Sequence, residues 1–150
     1  MGRAVIERKY VYLFELDSVR MSDEEILLGQ QKLYDEIESA DAIVFGSPIY
    51  MGHITGQSKI FMDRLYNYLM TPQFTSKLGA GKKAVLILAQ GNPDTEMFRP
   101  MVTSFRQMMS MLGFHASEVI VAACGHDKGI ITQNNAIMEH TRQAGAALIS

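Results

Sequence analysis

The stretch Ala40-Asp41-Ala42-Ile43-Val44-Phe45-Gly46-Ser47-Pro48-Ile49-Tyr50-Met51-Gly52 decides how the rest of the chain is read. Its first half is a nearly continuous apolar run. That is the pattern of a strand covered by helices on both faces, not of one that turns a face to water. The run ends at Gly46, where a small residue lets the backbone turn closely. Pro48 holds Ser47 extended and has no N–H of its own, so the loop that follows is stiff. Tyr50 then offers a flat aromatic face with a polar tip, and Gly52 permits close approach by a ligand. Thr55-Gly56-Gln57 opens a helix whose free N–H groups favour acceptor or anionic atoms.

Three further β-rich runs, Tyr10–Leu16, Lys83–Ala89 and Val119–Ala123, alternate with four helical patterns. The first helix carries a capping box, Ser22-Asp23-Glu24-Glu25, ahead of apolar Ile26, Leu33 and Ile37. The second spans about Gly56–Leu69, with Ile60, Phe61, Leu65 and Tyr68 to bury. In the third, Met97, Met101, Val102, Phe105, Met108, Met109 and Leu112 form one wide stripe that Gly113 stops. The last runs from about Gln133 to Leu148, and its Ala and Gly content suits close packing against a neighbour, including another subunit. Strands separated by single helices are joined by right-handed crossovers, which gives an α/β fold with a parallel sheet of about four strands and helices on both sides. Ligands in such sheets bind beyond the carboxyl ends of the strands. The loops there are Asp17–Met21, Ser47–Thr55, Gln90–Thr95 and Cys124–Thr132, all rich in Gly, Ser, Asn, Asp or His.

Composition narrows the functional classes. The chain has 150 residues, the length of one ordinary domain, and is expected to form a single domain over 1–150. With 47% apolar and 20% charged residues it is globular in character. A net charge of −2 and no Lys/Arg run leave no electrostatic drive toward nucleic acid or an anionic membrane. The longest apolar runs, Ala84–Ala89 and Val119–Ala123, fall far below the ~20 residues that span a bilayer. The first residues lack a hydrophobic signal core, so a cytoplasmic location is expected. A single cysteine, Cys124, excludes an intrachain disulfide and argues against an iron–sulfur cluster.

The opening stretch, continued through Gly52-His53-Ile54-Thr55-Gly56-Gln57-Ser58-Lys59-Ile60-Phe61-Met62-Asp63-Arg64-Leu65, closely resembles the iron–sulfur flavoprotein branch of the NADPH-dependent FMN reductases, a flavodoxin-like family with a three-layer α/β/α fold. Gln90-Gly91-Asn92-Pro93-Asp94 and Met111-Leu112-Gly113-Phe114 are similar to that family as well. The resemblance runs from about Tyr10 to the C-terminus. It implies that Ser47, Pro48, Ile49, Tyr50, Met51 and Gly52 border the ribityl chain and isoalloxazine ring of FMN, with Gln90, Gly91 and Asn92 facing the ring's polar edge. It also implies NAD(P)H as hydride donor, a small-molecule electron acceptor and a homodimer or homotetramer. The residues agree with this, since a planar heterocycle with carbonyls and ring nitrogens wants backbone donors on its rim and apolar or aromatic faces above it. The flavin carries the hard chemistry, so no protein residue is expected to be catalytic.

Two departures from the family stand out. Only nine residues precede the first strand, so the initial strand, Ser/Thr/Gly-rich loop and helix that cradle the FMN phosphate are expected to be missing. Either Tyr10–Leu16 takes the place of the lost strand, with Ser18, Arg20 and Ser22 meeting the phosphate, or another subunit or a further part of the gene product supplies the loop. Where the family carries a cysteine cluster motif, the chain reads Asp17-Ser18-Val19-Arg20-Met21-Ser22-Asp23, so no cluster and no metal is expected. His53 and His126 read as solvated loop histidines, Asp63-Arg64 as an architectural pair, Cys124 as an inert core thiol and most methionines as helix-face core. The alternative in a different class is a non-catalytic flavodoxin-like module, or a truncated flavoprotein, that acts through protein–protein contacts.

Overall fold

A computed structural model describes residues 23–70, 73 and 75–148. The expected strand Tyr10–Leu16, the loop Asp17–Met21 and the cap Ser22 lie outside the described residues. A boundary between Ser39 and Ala40 divides the chain into two compact units. The described part of the first is a helix, α1 (Asp23–Ser39), with Leu33 and Ile37 buried.

The second unit is built on β1 (Ala42–Tyr50), β2 (His53–Ile54), α2 (Gly56–Arg64), β3 (Leu69–Met70), β4 (Thr75–Ser76), β5 (Lys82–Ala89), α3 (Arg99–Met111), β6 (Phe114–Ala122) and α4 (Asn135–Leu148). The main sheet has the order β2-β1-β5-β6. β1, β5 and β6 are parallel, while the two-residue β2 folds back antiparallel on the end of β1. β3 and β4 form a separate small hairpin. The sheet is therefore mixed, and its fourth described member is β2, a strand that the sequence reading placed inside a loop.

Alternation along the strands sorts the core into two layers. Phe45 points to one face, where its ring stacks on Phe61 of α2 at 6.0 Å and meets Phe105 of α3 edge-on at 4.9 Å. Val85, Ile87 and Ile120 point to the other face and pack against Ala144, Ile137 and Leu148 of α4. Helices thus line both faces of β5, which explains why it reads as an unbroken apolar run, whereas β1, expected from its apolar run to be covered on both faces, leaves Val44 exposed because α4 packs on β5 and β6.

Several boundaries differ from expectation for physical reasons. β6 begins at Phe114, five residues before the apolar run Val119–Ala123, and stops at Ala122. Its register against β5 slips by one between Ala84 and Val85, so Ala84 faces Ala116 while Val85 faces Glu118. That bulge breaks the alternation and disguises the first half of the strand. α2 ends at Arg64 and tightens into a 3₁₀ turn over Leu65–Tyr68, where two tyrosines and an asparagine are weak helix formers. Ile60 lies on its exposed side, and Met62 is buried instead. The methionine stripe of α3 is wider than the face it covers: Phe105, Met109 and Leu112 are buried, whereas Met97, Met108 and Met111 are exposed.

Gly113 ends α3 as expected, for two reasons. Its φ is +94°, and a Cβ there would lie 2.1 Å from the carbonyl oxygen of Gly79. Ser76 Oγ, which accepts from the Leu78 N–H, donates to the Leu112 carbonyl at 2.5 Å and ties the same corner together. Gly113→Ala is expected to lower unfolding stability by roughly 3 kcal/mol, the sum of left-handed backbone strain and overpacking. Urea denaturation checks this, and a loss below about 1 kcal/mol contradicts the contact.

Candidate functional site

The parallel register brings the carboxyl ends of β1 and β5 to one level, with Pro48 opposite Ala89. Beyond that level the two loops singled out in the sequence lie side by side. Ile49 and Tyr50 pair with Ile54 and His53, so Met51 and Gly52 alone form the tip of a hairpin. Both tip residues have positive φ, 51° and 82°, the requirement of the two-residue turns that suit twisted strands. Gly52 approaches the start of α3, which follows the second loop: a Cβ on it would sit 3.6 Å from the ring of Phe98, the residue before α3. Tyr50 is 66% exposed and Met51 fully so, while Ile49 is buried beneath them.

The base of the hairpin is held by buried hydroxyls. Ser47 Oγ donates to the Pro48 carbonyl at 2.9 Å and accepts from the Thr55 N–H and the Ser58 hydroxyl, both at 3.2 Å. Ser58 in turn accepts from Thr55 Oγ1 at 2.9 Å, and the Ser58 N–H returns a bond to Thr55 Oγ1 at 3.3 Å, capping α2. A hydroxyl has one proton and two lone pairs, so Ser47 is saturated by this network. Among the nine expected site residues, Ser47 and Ile49 therefore shape the loop from inside, whereas Tyr50 and Met51 carry its outer surface and Pro48 and Gly52 are half-buried.

The second loop is organised by Gln90, which is 97% buried. Its N–H donates to Ala122 O and its carbonyl accepts from the Gly125 N–H, each at 2.9 Å. Its Nε2 donates to the carbonyls of Asn92 at 3.0 Å and Asp94 at 2.6 Å. Asn92 Oδ1 accepts from the Asp94 N–H at 2.8 Å, and Asp94 Oδ1 accepts from the Glu96 N–H at 2.9 Å. Gln90 Oε1 is buried with no hydrogen-bond partner. Gly91, like Gly56 and Gly145 in the helices, has a φ outside the left-handed region, and a Cβ there would meet nothing within 4 Å. Neither backbone conformation nor packing demands a glycine at that position.

The sequence profile of the flavodoxin-like fold matches residues 5–148. The chain belongs to the flavodoxin-like family. It is 33% identical over 93 residues to an FMN-dependent NADH:quinone oxidoreductase of Burkholderia pseudomallei, an alignment covering 59% of this chain and 46% of that protein. The chain thus spans about half the length of the curated relatives it matches. Among solved structures, the Trp repressor binding protein of Bacillus subtilis superposes with a TM-score of 0.62 at 19% identity, covering 73% of this chain and 70% of that one. An FMN-dependent NADH-azoreductase from Bacillus anthracis, in complex with FMN, gives a TM-score of 0.59 at 18% identity and covers 91% and 71%. At these identities the superpositions establish the fold.

The third loop of this flavodoxin-like edge follows β6. Cys124 is half-buried rather than core, with φ of 59°. With Ala123, Ile130, Ile131, Asn134 and Ile137 it lines a cleft of about 370 Å³. His53 and His126 are exposed, and His126 Nε2 lies 3.6 Å from its neighbour Asp127. The Asp63 carboxylate pairs with Lys59 one helical turn away. No group of three potential metal ligands occurs among the described residues.

Thr55 reads in the sequence only as the end of the loop and the opening of α2, and Ser58 and Phe98 are not singled out there for the site. A hydroxyl at the N-cap and another three residues later is the local signal for the first two. Met51→Asn is expected to raise unfolding stability by about 0.5–1 kcal/mol, because asparagine tolerates the left-handed region better than methionine and Met51 makes no buried contact to lose. An unchanged or lower denaturation midpoint would contradict the turn geometry.

Proposed function

We propose that residues 1–150 act as one flavodoxin-like domain that binds FMN and passes electrons from NAD(P)H to a small acceptor of the quinone class. The observation that carries this reading is Gly91, a turn glycine that neither backbone conformation nor packing demands, following β5 at the carboxyl edge next to the end of β1. A backbone left bare with open space before it is what close approach of a flat ring requires. The family match runs from residue 5 to 148 and so crosses the boundary between the two compact units, which supports the single-domain reading. The Burkholderia relative is named an FMN-dependent NADH:quinone oxidoreductase, which supports the cofactor, the donor and the acceptor class.

The residues present fit an isoalloxazine. Tyr50 offers an exposed aromatic face, and the Gly91 turn offers bare backbone along a polar rim. Gln90 Oε1 leaves a buried acceptor unsatisfied in a loop meant to face ring N–H groups. Pro48, Ile49, Tyr50, Met51 and Gly52 would hold the ring from the β1 side, and Gln90, Gly91 and Asn92 from the β5 side, while Ser47 fixes the hairpin from within. FMN when bound supplies hydride acceptance and onward electron delivery. The chain's own contribution is to bind, orient and exclude water, and none of its side chains is assigned a catalytic proton transfer. Ser18, Arg20 and Ser22 remain the residues proposed to meet the phosphate.

A cytoplasmic homodimer or homotetramer completes the proposal, consistent with the small, exposed side chains of Ala146 and Ala147 beside half-buried Gly145 on α4. Among the described residues no helix is long and apolar enough to cross a membrane.

The purified protein is expected to be yellow, to release FMN on denaturation and to rebind it in titration, and NADH is expected to bleach the bound flavin. A colourless protein that FMN cannot saturate points instead to a binding module. Gly91→Val is expected to weaken FMN binding by at least about tenfold, the scale of one lost close contact, while leaving the melting temperature of the apoprotein unchanged. An unaltered affinity would remove Gly91 from the site.

A further inference from the structure

We propose that Ser58, a residue of α2 outside the ligand loop, positions that loop by setting the direction of a one-way chain of hydroxyl hydrogen bonds. This inference rests on the FMN reading above and deepens it. The chain runs Thr55 Oγ1 to Ser58 Oγ, Ser58 Oγ to Ser47 Oγ, and Ser47 Oγ to the Pro48 carbonyl, at 2.9, 3.2 and 2.9 Å. Each hydroxyl spends its single proton on the next acceptor, so no member can reverse alone.

The two ends of the chain flank the hairpin. Ser47 and Pro48 lie at its entry, Thr55 at its exit, and the Thr55 N–H closes the loop directly onto Ser47 Oγ at 3.2 Å. Ser58 and Ser47 are each 95% buried, so water does not offer a substitute partner. Ser58 is the only link that comes from outside the hairpin and its cap residue. Its proton occupies one of the two lone pairs of Ser47, and the Thr55 N–H occupies the other, so the Ser47 proton is left to the Pro48 carbonyl. That carbonyl is thereby held inward, and the peptide that begins the ligand-facing segment Ile49–Gly52 is presented in one orientation. Without the Ser58 hydroxyl, Ser47 loses one of the three partners that fix its rotor and Thr55 Oγ1 loses its acceptor, so the hydroxyl that serves the Pro48 carbonyl is held less tightly.

The decisive experiment compares wild type with Ser58→Ala and Ser58→Thr in the purified protein. The readouts are FMN affinity by fluorescence quenching, visible circular dichroism of the bound flavin, and the apoprotein melting temperature. Alanine removes one atom and favours helix, so the fold is expected to persist. Ser58→Ala is expected to raise the FMN dissociation constant about tenfold, the equivalent of one net hydrogen bond, and to change the visible dichroism. Ser58→Thr is expected to restore the dichroism because it keeps the hydroxyl. Ser47→Ala is expected to weaken binding more than Ser58→Ala, since it also removes the acceptor of the Thr55 N–H and the donor to the Pro48 carbonyl. If the wild type binds FMN and Ser58→Ala matches it in affinity and dichroism, whatever its melting temperature, the positioning role is overturned and the FMN reading stands. If the wild type itself does not bind FMN, both fall.

Discussion

The parallel register of β1 on β5 and of β5 on β6 is the constraint from which the rest of the molecule follows. It sets Pro48, Ala89 and Ala122 at one level, so three strands release their chains at a common edge. Phe45, midway along β1, fixes that register by burial. Its ring sits between Phe61 and Phe105, and a slip of one residue would turn it to the α4 face and bring Val44 into its place. Val44 is more than half exposed, which shows how differently the two faces of β1 are used. The register is thus held by an aromatic sandwich on one side, and the geometry of the edge is inherited from it.

What happens at that edge is governed by polar groups that cannot be left unpaired. The chain must leave β1, turn and enter α2 within a few residues, and the entry point is buried. The sequence meets this with hydroxyls instead of charges: Ser47, Thr55 and Ser58 satisfy one another and the Pro48 carbonyl in a space that excludes water. Gln90 plays the corresponding part in the neighbouring loop, its Nε2 closing the carbonyls of Asn92 and Asp94. The two networks are of the same kind, short side chains folded back on their own backbone. They leave the outer surfaces of both loops to Tyr50, Met51 and Gly91.

Much of this was legible because it depends on short-range patterns. The apolar runs of β1 and β5, the helix-stopping Gly113, and the concentration of Gly, Ser, Pro and Asn at strand ends all act within a few residues of themselves. The parts that escaped depend on partners distant in sequence. β2 has only two residues, and His53-Ile54 has no strand signal apart from the β1 end it folds onto. The first half of β6 is masked by a bulge that is defined only against β5. The exposure of Ile60, Met97 and Met108 follows from how much of each helix the sheet can cover, which periodicity alone cannot tell. Ser47 reads in the sequence as a ligand residue because Ser-Pro sits at the right place, but the structure uses up its hydrogen-bonding capacity on Thr55 and Ser58. Tyr10–Leu16, Ser18, Arg20 and Ser22 lie outside the described residues and keep the standing of sequence expectations.

The distribution of backbone strain gives an independent reason to place function at this edge. Among the described residues, Met51 and Cys124 are the non-glycine residues with positive φ. One forms the hairpin tip and the other follows β6, and the Gln90 loop lies between them, hydrogen-bonded to Ala122 and Gly125 on the Cys124 side. Each left-handed non-glycine residue costs about 1–2 kcal/mol, a considerable share of the roughly 5–15 kcal/mol that holds a domain folded. At the amino end of the sheet the fold uses glycine for this conformation, at Gly79, Gly81 and Gly113, whereas the carboxyl-end loops use both glycine, at Gly52 and Gly129, and the side-chain-bearing Met51 and Cys124. Among the described residues, left-handed strain on side chains is thus confined to the carboxyl end of the sheet. At Met51 the side chain is a fully exposed thioether beside Tyr50, a soft apolar surface suited to covering a flat ring.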